Sequence, residues 1–407
     1  MINFVKGFYR RKGLLVSVAL LTDKVIQLLA PYIIVAYLSQ KVYGDFIYSI
    51  TIIGLIIPFS GGGLNHSLLF YGTSYESKRS LFSNILISGS FLNVAIILIV
   101  ASLSPFLTYN RPDSLAYLNY LLIFLFLQFF HLILNNQYRI NDFNTKYSTN
   151  NLIKSFIFII IVITLVPVYG VYGLILAYIL SPIRSFFKSL QLLRFKDINL
   201  RSNFKYLKYG LNVGIASIVS QVILLSDNLI IGNFIKNSSE IAIYKIATII
   251  PLGLFFIPNV FLTTDFVEIS RMKNHKKKVE KYYLEYLKLF CLIGLLLIPL
   301  LYFFSEDIII KLFGMEYSES VKMFKILLIG TIAVFLLRNP LGFILNAVGQ
   351  AKINVRISYI MLIVNLIASI SLTIKFQLIG AAIATTITLF FGGFVSLFFF
   401  IKWLKEN

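Results

Sequence analysis

Two basic side chains sit deep in apolar sequence. Lys24 follows Asp23 in GLLVSVALLTDKVIQLLA, and Arg338 stands in FLLRNPLGFILN just before Pro340. An ionised group costs several kcal/mol at the centre of a bilayer, so each marks a candidate functional position. Lysine offers a compact charge and arginine a fork of donors, and both suit phosphate or carboxylate. Arg139, at the end of another apolar run, is a third candidate for such a cationic cavity. Asp227 (in ILLSDNLIIG), Asp23, Asp265 and His131 are candidates for a coupling proton or ion. Neighbouring helix positions point about 100° apart, so Asp23 and Lys24 do not pair directly and one of them faces a cavity. Each candidate also has a plain structural reading. Lys24 can snorkel or pair with another helix, Arg338 can cap carbonyls, Asp227 can belong to a buried pair, and the isolated His131 and His66 can be packing residues.

Other chemistry lacks its residues. The chain contains no GxxxxGK[ST], HExxH or GxSxG motif. Gly61-Gly62-Gly63 has no following lysine and reads as a place where a helix flexes or packs closely. The single cysteine, Cys291, excludes an internal disulfide and a Cys-rich metal motif, and its apolar surroundings read as core. No resident cofactor is expected beyond a coupling H+ or Na+.

The elements that must position these groups are membrane helices. The 407 residues are 58% hydrophobic and 13% charged, with a mean hydropathy of +0.84. A soluble domain carries about 25% charged residues. Twelve apolar stretches are long enough to cross a bilayer, near 14–37, 45–69, 81–107, 115–137, 150–168, 171–192, 209–235, 241–265, 284–304, 321–347, 355–374 and 378–401. Their continuous apolar runs lack the alternation of a barrel. The charged, apolar N-terminus is read as a retained first helix, since the run is too long for a signal peptide and lacks a cleavage site.

Charge orients the spans. With residues near span ends counted in the adjoining connection, even-numbered connections hold 26 of the 37 Lys and Arg residues and odd-numbered ones hold 7. The other four, Lys24, Lys245, Lys288 and Arg338, lie within spans. This positive-inside bias places both termini in the cytoplasm and accounts for the net charge of +20 without nucleic acid. The midpoint connection Arg194–Lys208 reads as a cytoplasmic linker on the membrane, and Arg271–Lys281 as a surface helix facing anionic lipid.

The chain expected from these features is an all-α integral membrane protein. It has two six-helix lobes, 1–200 and 201–407, around a central cavity. The halves look related. Tyr172–Ala177 resembles Ile379–Ala384 at a shift of 207, and Arg139–Asp142 resembles Ala347–Gln350 at a shift of 208. Six spans per half make the repeat parallel, as in some transporters.

Five segments in chain order carry a resemblance: AYLSQKVYGDFIYSITIIGLIIPFSGGGLNHSLLFYG, SQVILLSDNLIIGNFI, KLFGMEYSES, ILNAVGQAK and IGAAIATTIT. They resemble the multidrug/oligosaccharidyl-lipid/polysaccharide exporter superfamily, in particular its Wzx-type flippases of O-antigen and capsule repeat units. The resemblance implies two lobes around a cavity that opens alternately to each side. It also implies an undecaprenyl-pyrophosphate-linked oligosaccharide as substrate, moved from the cytoplasmic to the periplasmic leaflet of a bacterial inner membrane. The matched residues are Asp227 and Lys24; Arg338 is argued from its position. Asn228 stands where the family often has Arg, and Ile241-Ala242 replaces a frequent Val-Gly.

The expected activity is therefore flipping, with the diphosphate and any acidic sugars held by Lys24 and Arg338. Expected partners are the lipid-linked substrate, anionic membrane lipids, a polysaccharide polymerase and a chain-length regulator, with no nucleic acid and a monomeric state. The alternatives are a cation-coupled multidrug antiporter of the same superfamily, which would want acidic cavity walls, and a membrane-embedded polymerase. A polymerase would show a large outer loop, whereas here the longest, 305–320, is short.

Overall fold

A computed structural model describes residues 13–72, 78–194, 203–235 and 237–405. Among the described residues every regular element is a helix. Nine helices are long and apolar enough to cross a membrane, and the bent pair Lys205–Val219 and Gln221–Phe234 makes a tenth. One of the nine, Ala351–Lys405, is 55 residues long. Run straight, it would extend about 80 Å, against a hydrocarbon core of about 30 Å. It breaks at Gln377, which is non-helical (φ 52°, ψ −133°), and so supplies spans eleven and twelve. With Gly13–Tyr37 as span one, the helices fall at the twelve positions read from hydropathy. The chain is a multi-pass membrane protein.

The helices pack into two compact units. One is Val25–Leu229 with Asn237–Ile241; the other is Met1–Lys24, Ile230–Lys236 and Ala242–Asn407. This division differs from the lobes 1–200 and 201–407, because most of span seven (Asn203–Phe234) packs in the first unit. The core of the first unit joins Leu68, Phe82, Ile85, Phe129, Phe130 and Ile133. The core of the second joins Tyr286, Phe290, Phe335, Leu341, Phe400 and Trp403, with Tyr286 and Phe290 stacked at 4.2 Å.

The internal repeat is visible in the backbone. Gly170, between spans five and six, has φ 57° and ψ −130°, nearly the angles of Gln377 between spans eleven and twelve. Three residues after each, a glycine approaches the preceding helix. A Cβ on Gly173 would lie 2.3 Å from the Leu165 carbonyl oxygen, and one on Gly380 would lie 1.9 Å from that of Leu372. Asp142 and Gly349, both at positive φ, end spans four and ten. All these pairs are 207 residues apart, so the shift of 208 expected at the 139–142 turn is corrected to 207 by its backbone.

Three other expectations change. Residues 271–281 do not form a separate surface helix. The chain turns at Met272–Asn274, and Lys276 opens span nine itself, Lys276–Phe303, so the lysines ride on its first turns. Cys291 is exposed on that helix rather than buried in the core. In the midpoint connection, residues 195–202 lie outside the described residues, and 203–208 already belong to the helix of span seven.

Candidate functional site

Arg338 is positioned by a defect in span ten. Pro340 has no N–H to give the carbonyl one turn back, at Leu336. The helix widens there into a π turn, Val334–Arg338, and the Asn339 N–H bonds to the Val334 carbonyl. Two tyrosines of span nine supply the missing donors. Tyr283 Oη donates to the Leu336 carbonyl and Tyr286 Oη to that of Phe335, both at 3.0 Å. The guanidinium leaves this turn half-buried. Its Nη1 donates to Asn354 Oδ1 (2.9 Å), its Nη2 to Ser358 Oγ (3.2 Å), and its Nε points at Met361 Sδ (3.2 Å). Among the described residues none of its hydrogen-bond partners is acidic. Gly342, one turn on, makes room for it, because a Cβ there would sit 2.6 Å from Nη1. The site is a cation held by neutral groups, with Asn354 tied on to Asn346 and Asn339 to Asn259.

His131 is not isolated. It lies buried on span four, Pro112–Ile140, among side chains of spans five and six. Its Nδ1 lies 2.9 Å from Ser185 Oγ and 3.3 Å from Asn150 Nδ2. Its Nε2 lies 3.1 Å from Asn151 Oδ1 and 3.0 Å from Asn135 Nδ2. Asn135 also donates to Asn151 (2.9 Å), Asn150 donates to Asn135 (2.9 Å), and Arg184 donates to Asn150 Oδ1 (3.3 Å). Lys154 donates to Gln128 nearby (2.8 Å). The asparagines at 135, 150 and 151 look like ordinary polar interruptions in the sequence; only the packing of three helices turns them into one cluster.

The remaining expected residues are dispersed. The side chains of Asp23 and Lys24 lie outside the described residues. Arg139 is exposed at the end of span four, 5.8 Å over the Tyr147 ring. Asp227 is buried in span seven, beside Asn228, which donates to Thr51 Oγ1 (3.2 Å). Asp265 is buried and accepts from Tyr282 Oη (3.0 Å). His66 meets the Pro58 carbonyl (3.2 Å) beside a break in span two. There Gly61, Gly62 and Gly63 all take positive φ. A Cβ on Gly63 would fall 2.1 Å from the Gly210 carbonyl oxygen, so spans two and seven touch backbone to backbone.

One buried charge pair escaped the sequence reading. Arg111 and Asp45 meet at 3.4 Å, with side chains only 8% and 5% exposed. Ser238 Oγ (2.6 Å) and Ser114 Oγ (2.9 Å) also donate to Asp45, and Arg111 lies over the Tyr48 ring. Both charges stand at span ends, where a sequence reading assigns them to solvated loops. Outside the spans, the Tyr317 hydroxyl of the GMEYSES segment is pushed up, first by burial and then by Glu316.

The model of the family described as polysaccharide biosynthesis protein matches residues 34–322. The capsular polysaccharide biosynthesis protein CapF of Staphylococcus aureus is 32% identical over 163 residues, 39% of this chain and 39% of that protein. An uncharacterised membrane protein of Methanocaldococcus jannaschii is 37% identical over 132 residues, 32% of this chain. The matches span only 25% and 39% of these two relatives' own lengths. Among solved structures, the lipid II flippase MurJ in an inward closed conformation aligns with a TM-score of 0.80 at 18% identity, over 96% of this chain and 87% of that one. An inward-facing MATE-family multidrug resistance transporter of the MOP superfamily aligns with a TM-score of 0.74 at 16% identity, over 94% of each chain. The chain therefore shares the fold of these two transporters.

Proposed function

Because the chain belongs to the polysaccharide biosynthesis protein family, we propose that it is a flippase. It carries undecaprenyl-pyrophosphate-linked oligosaccharide repeat units, for O-antigen or capsule, from the cytoplasmic to the periplasmic leaflet. The observation that carries the reading is Arg338: a half-buried guanidinium in a membrane span whose hydrogen bonds go to Asn354 and Ser358 and to no described carboxylate. A cation held by neutral groups suits an anionic diphosphate or an acidic sugar. Lys24 is assigned to the same role from its place in span one. Arg139, on the exposed helix end, serves the headgroup on entry rather than the deep site.

Alternating access uses the breaks in the spans: the Gly61–Gly63 segment, the π turn at Val334–Arg338, and the interruption of span eight between Ser238–Gly253 and Phe256–Arg271. Coupling to H+ or Na+ draws on Asp227, Asp265, Asp23 and His131. The membrane is the bacterial inner membrane, with both termini cytoplasmic by the loop charge. A polymerase and a chain-length regulator receive the flipped units, anionic lipids meet the basic cytoplasmic ends, and the working unit is a monomer.

Leaflet-resolved lipid analysis of cells lacking the protein tests this reading. Accumulation of undecaprenyl-pyrophosphate repeat units on the cytoplasmic face, with loss of surface polysaccharide, is the expected result. Single repeat units reaching the periplasmic face while only their polymer is missing would overturn it in favour of a polymerase.

A further inference from the structure

We propose that the His131 cluster is a second anion site, the repeat counterpart of the Arg338 site, which takes up an oxyanion together with a proton. The shift of 207 that relates Asp142 to Gly349 and Gly170 to Gln377 also carries His131 to Arg338 and Asn151 to Ser358. The contacts follow it. His131 meets Asn151, 20 residues on, at 3.1 Å, and Arg338 meets Ser358, 20 residues on, at 3.2 Å. One half has a permanent cation at this position and the other has histidine, the side chain whose charge changes near neutral pH.

The surroundings compensate in a specific way. Met361, which faces Arg338, has Lys154 as its counterpart. The N-terminal half thus moves its fixed charge from span four to span five, and span six adds Arg184. Among the described residues, the charged side chains placed at this cluster are these two cations, and Tyr138 lies beside Arg184. The hydrogen-bond partners of His131 itself, Ser185, Asn135, Asn150 and Asn151, are all neutral. Each amide brings two donors and an acceptor oxygen, so it is the donor-only lysine and arginine that give the cluster its donor excess. A phosphate-type oxyanion presents acceptors only and fits that excess. Once seated, it attracts the imidazolium, so anion and proton strengthen each other's binding by the same factor. The proton comes from solvent and returns to it when the anion leaves.

Calorimetry on the full chain in nanodiscs, in two buffers of different ionisation heat, counts protons taken up on binding. Inorganic pyrophosphate in one arm and farnesyl pyrophosphate in the other distinguish a free anion from a lipid headgroup. In the unaltered protein, uptake approaches about one proton per anion bound at the His131 site, and affinity there gains up to about tenfold per unit fall in pH. His131→Arg, which installs the counterpart residue, keeps the affinity and abolishes the uptake. His131→Asn loses the proton uptake and the binding phase linked to it, and leaves binding at Arg338 in place. Lys154→Met, again the counterpart residue, weakens binding several-fold but leaves the proton count intact, and it keeps the test open if His131→Arg does not fold. No binding of either probe, no proton uptake, or full uptake in His131→Asn would each overturn the proposal. These readouts do not depend on export, so a failure of this site and a failure of the flippase reading give different results.

Discussion

His131 and Arg338 occupy the same position in the two halves of the chain. Each stands 11 residues before a positive-φ turn, at Asp142 and Gly349, and each bonds to the residue 20 positions later. The halves have kept the backbone and exchanged the chemistry. Where one holds a fixed guanidinium among few groups, the other spreads a ring, three asparagines, a serine and two cations over three helices. This relationship bears on transport as well as on ancestry, since an ionisable side chain inside a span is retained at a cost.

Arg338→Ala should abolish export of surface polysaccharide while the protein still inserts, because Asn354 and Ser358 can bond to each other or to water but cannot replace the charge. Arg338→Lys should retain partial export, since a single ammonium cannot reach both Asn354 and Ser358 in the fork geometry. Membrane-fraction blots with surface-polysaccharide staining check both. Normal polysaccharide from Arg338→Ala and from Lys24→Ala would refute the cationic cavity.

Gln377→Gly should stabilise the protein. Glutamine at φ 52° and ψ −133° is strained by about 1–3 kcal/mol, and its counterpart Gly170 adopts the same turn without strain. Glycine returns part of that gain through the entropy of the unfolded chain, which leaves a net of about 1 kcal/mol. A rise in apparent melting temperature in detergent is the expected outcome, and Gly170→Gln should lower it.

Arg111→Met should destabilise strongly, by about 3–5 kcal/mol, because it leaves the Asp45 carboxylate buried without its cation. Asp45→Asn should cost less than Asp45→Ala, since an amide oxygen can still accept from Ser114 and Ser238. A double-mutant cycle on thermal unfolding should give a coupling energy above about 1 kcal/mol for Arg111 and Asp45.

Gly63→Ala should lower stability and export together. The methyl would meet the Gly210 carbonyl at 2.1 Å, and the φ of 72° adds left-handed strain, so the total should be about 2 kcal/mol or more. Gly349→Ala is the control, with positive φ but open space around the new methyl, and should be milder. Similar losses for both would show that backbone strain, not the contact of spans two and seven, sets the effect.

The sequence by itself determined what runs locally along the chain. Hydropathy located twelve spans because each needs only its own length of apolar residues. The loop charge gives them an expected orientation, and the match of Tyr172–Ala177 to Ile379–Ala384 has the repeat's shift of 207. Those signals do not depend on which helix touches which. The tertiary structure decided everything that does. It gathered Asn135, Asn150, Asn151 and Ser185 around a histidine that read as isolated, and it paired Asp45 with Arg111 across 66 residues. It turned Cys291 outward, and it showed that Pro340 acts through a π turn capped by two distant tyrosines. Hydrogen bonds and ion pairs act over about 3 Å, and a bundle brings side chains to that distance from helices far apart in the chain. Composition and spacing carry no record of those distances, so the partners of the deep polar groups became legible only once the helices were packed.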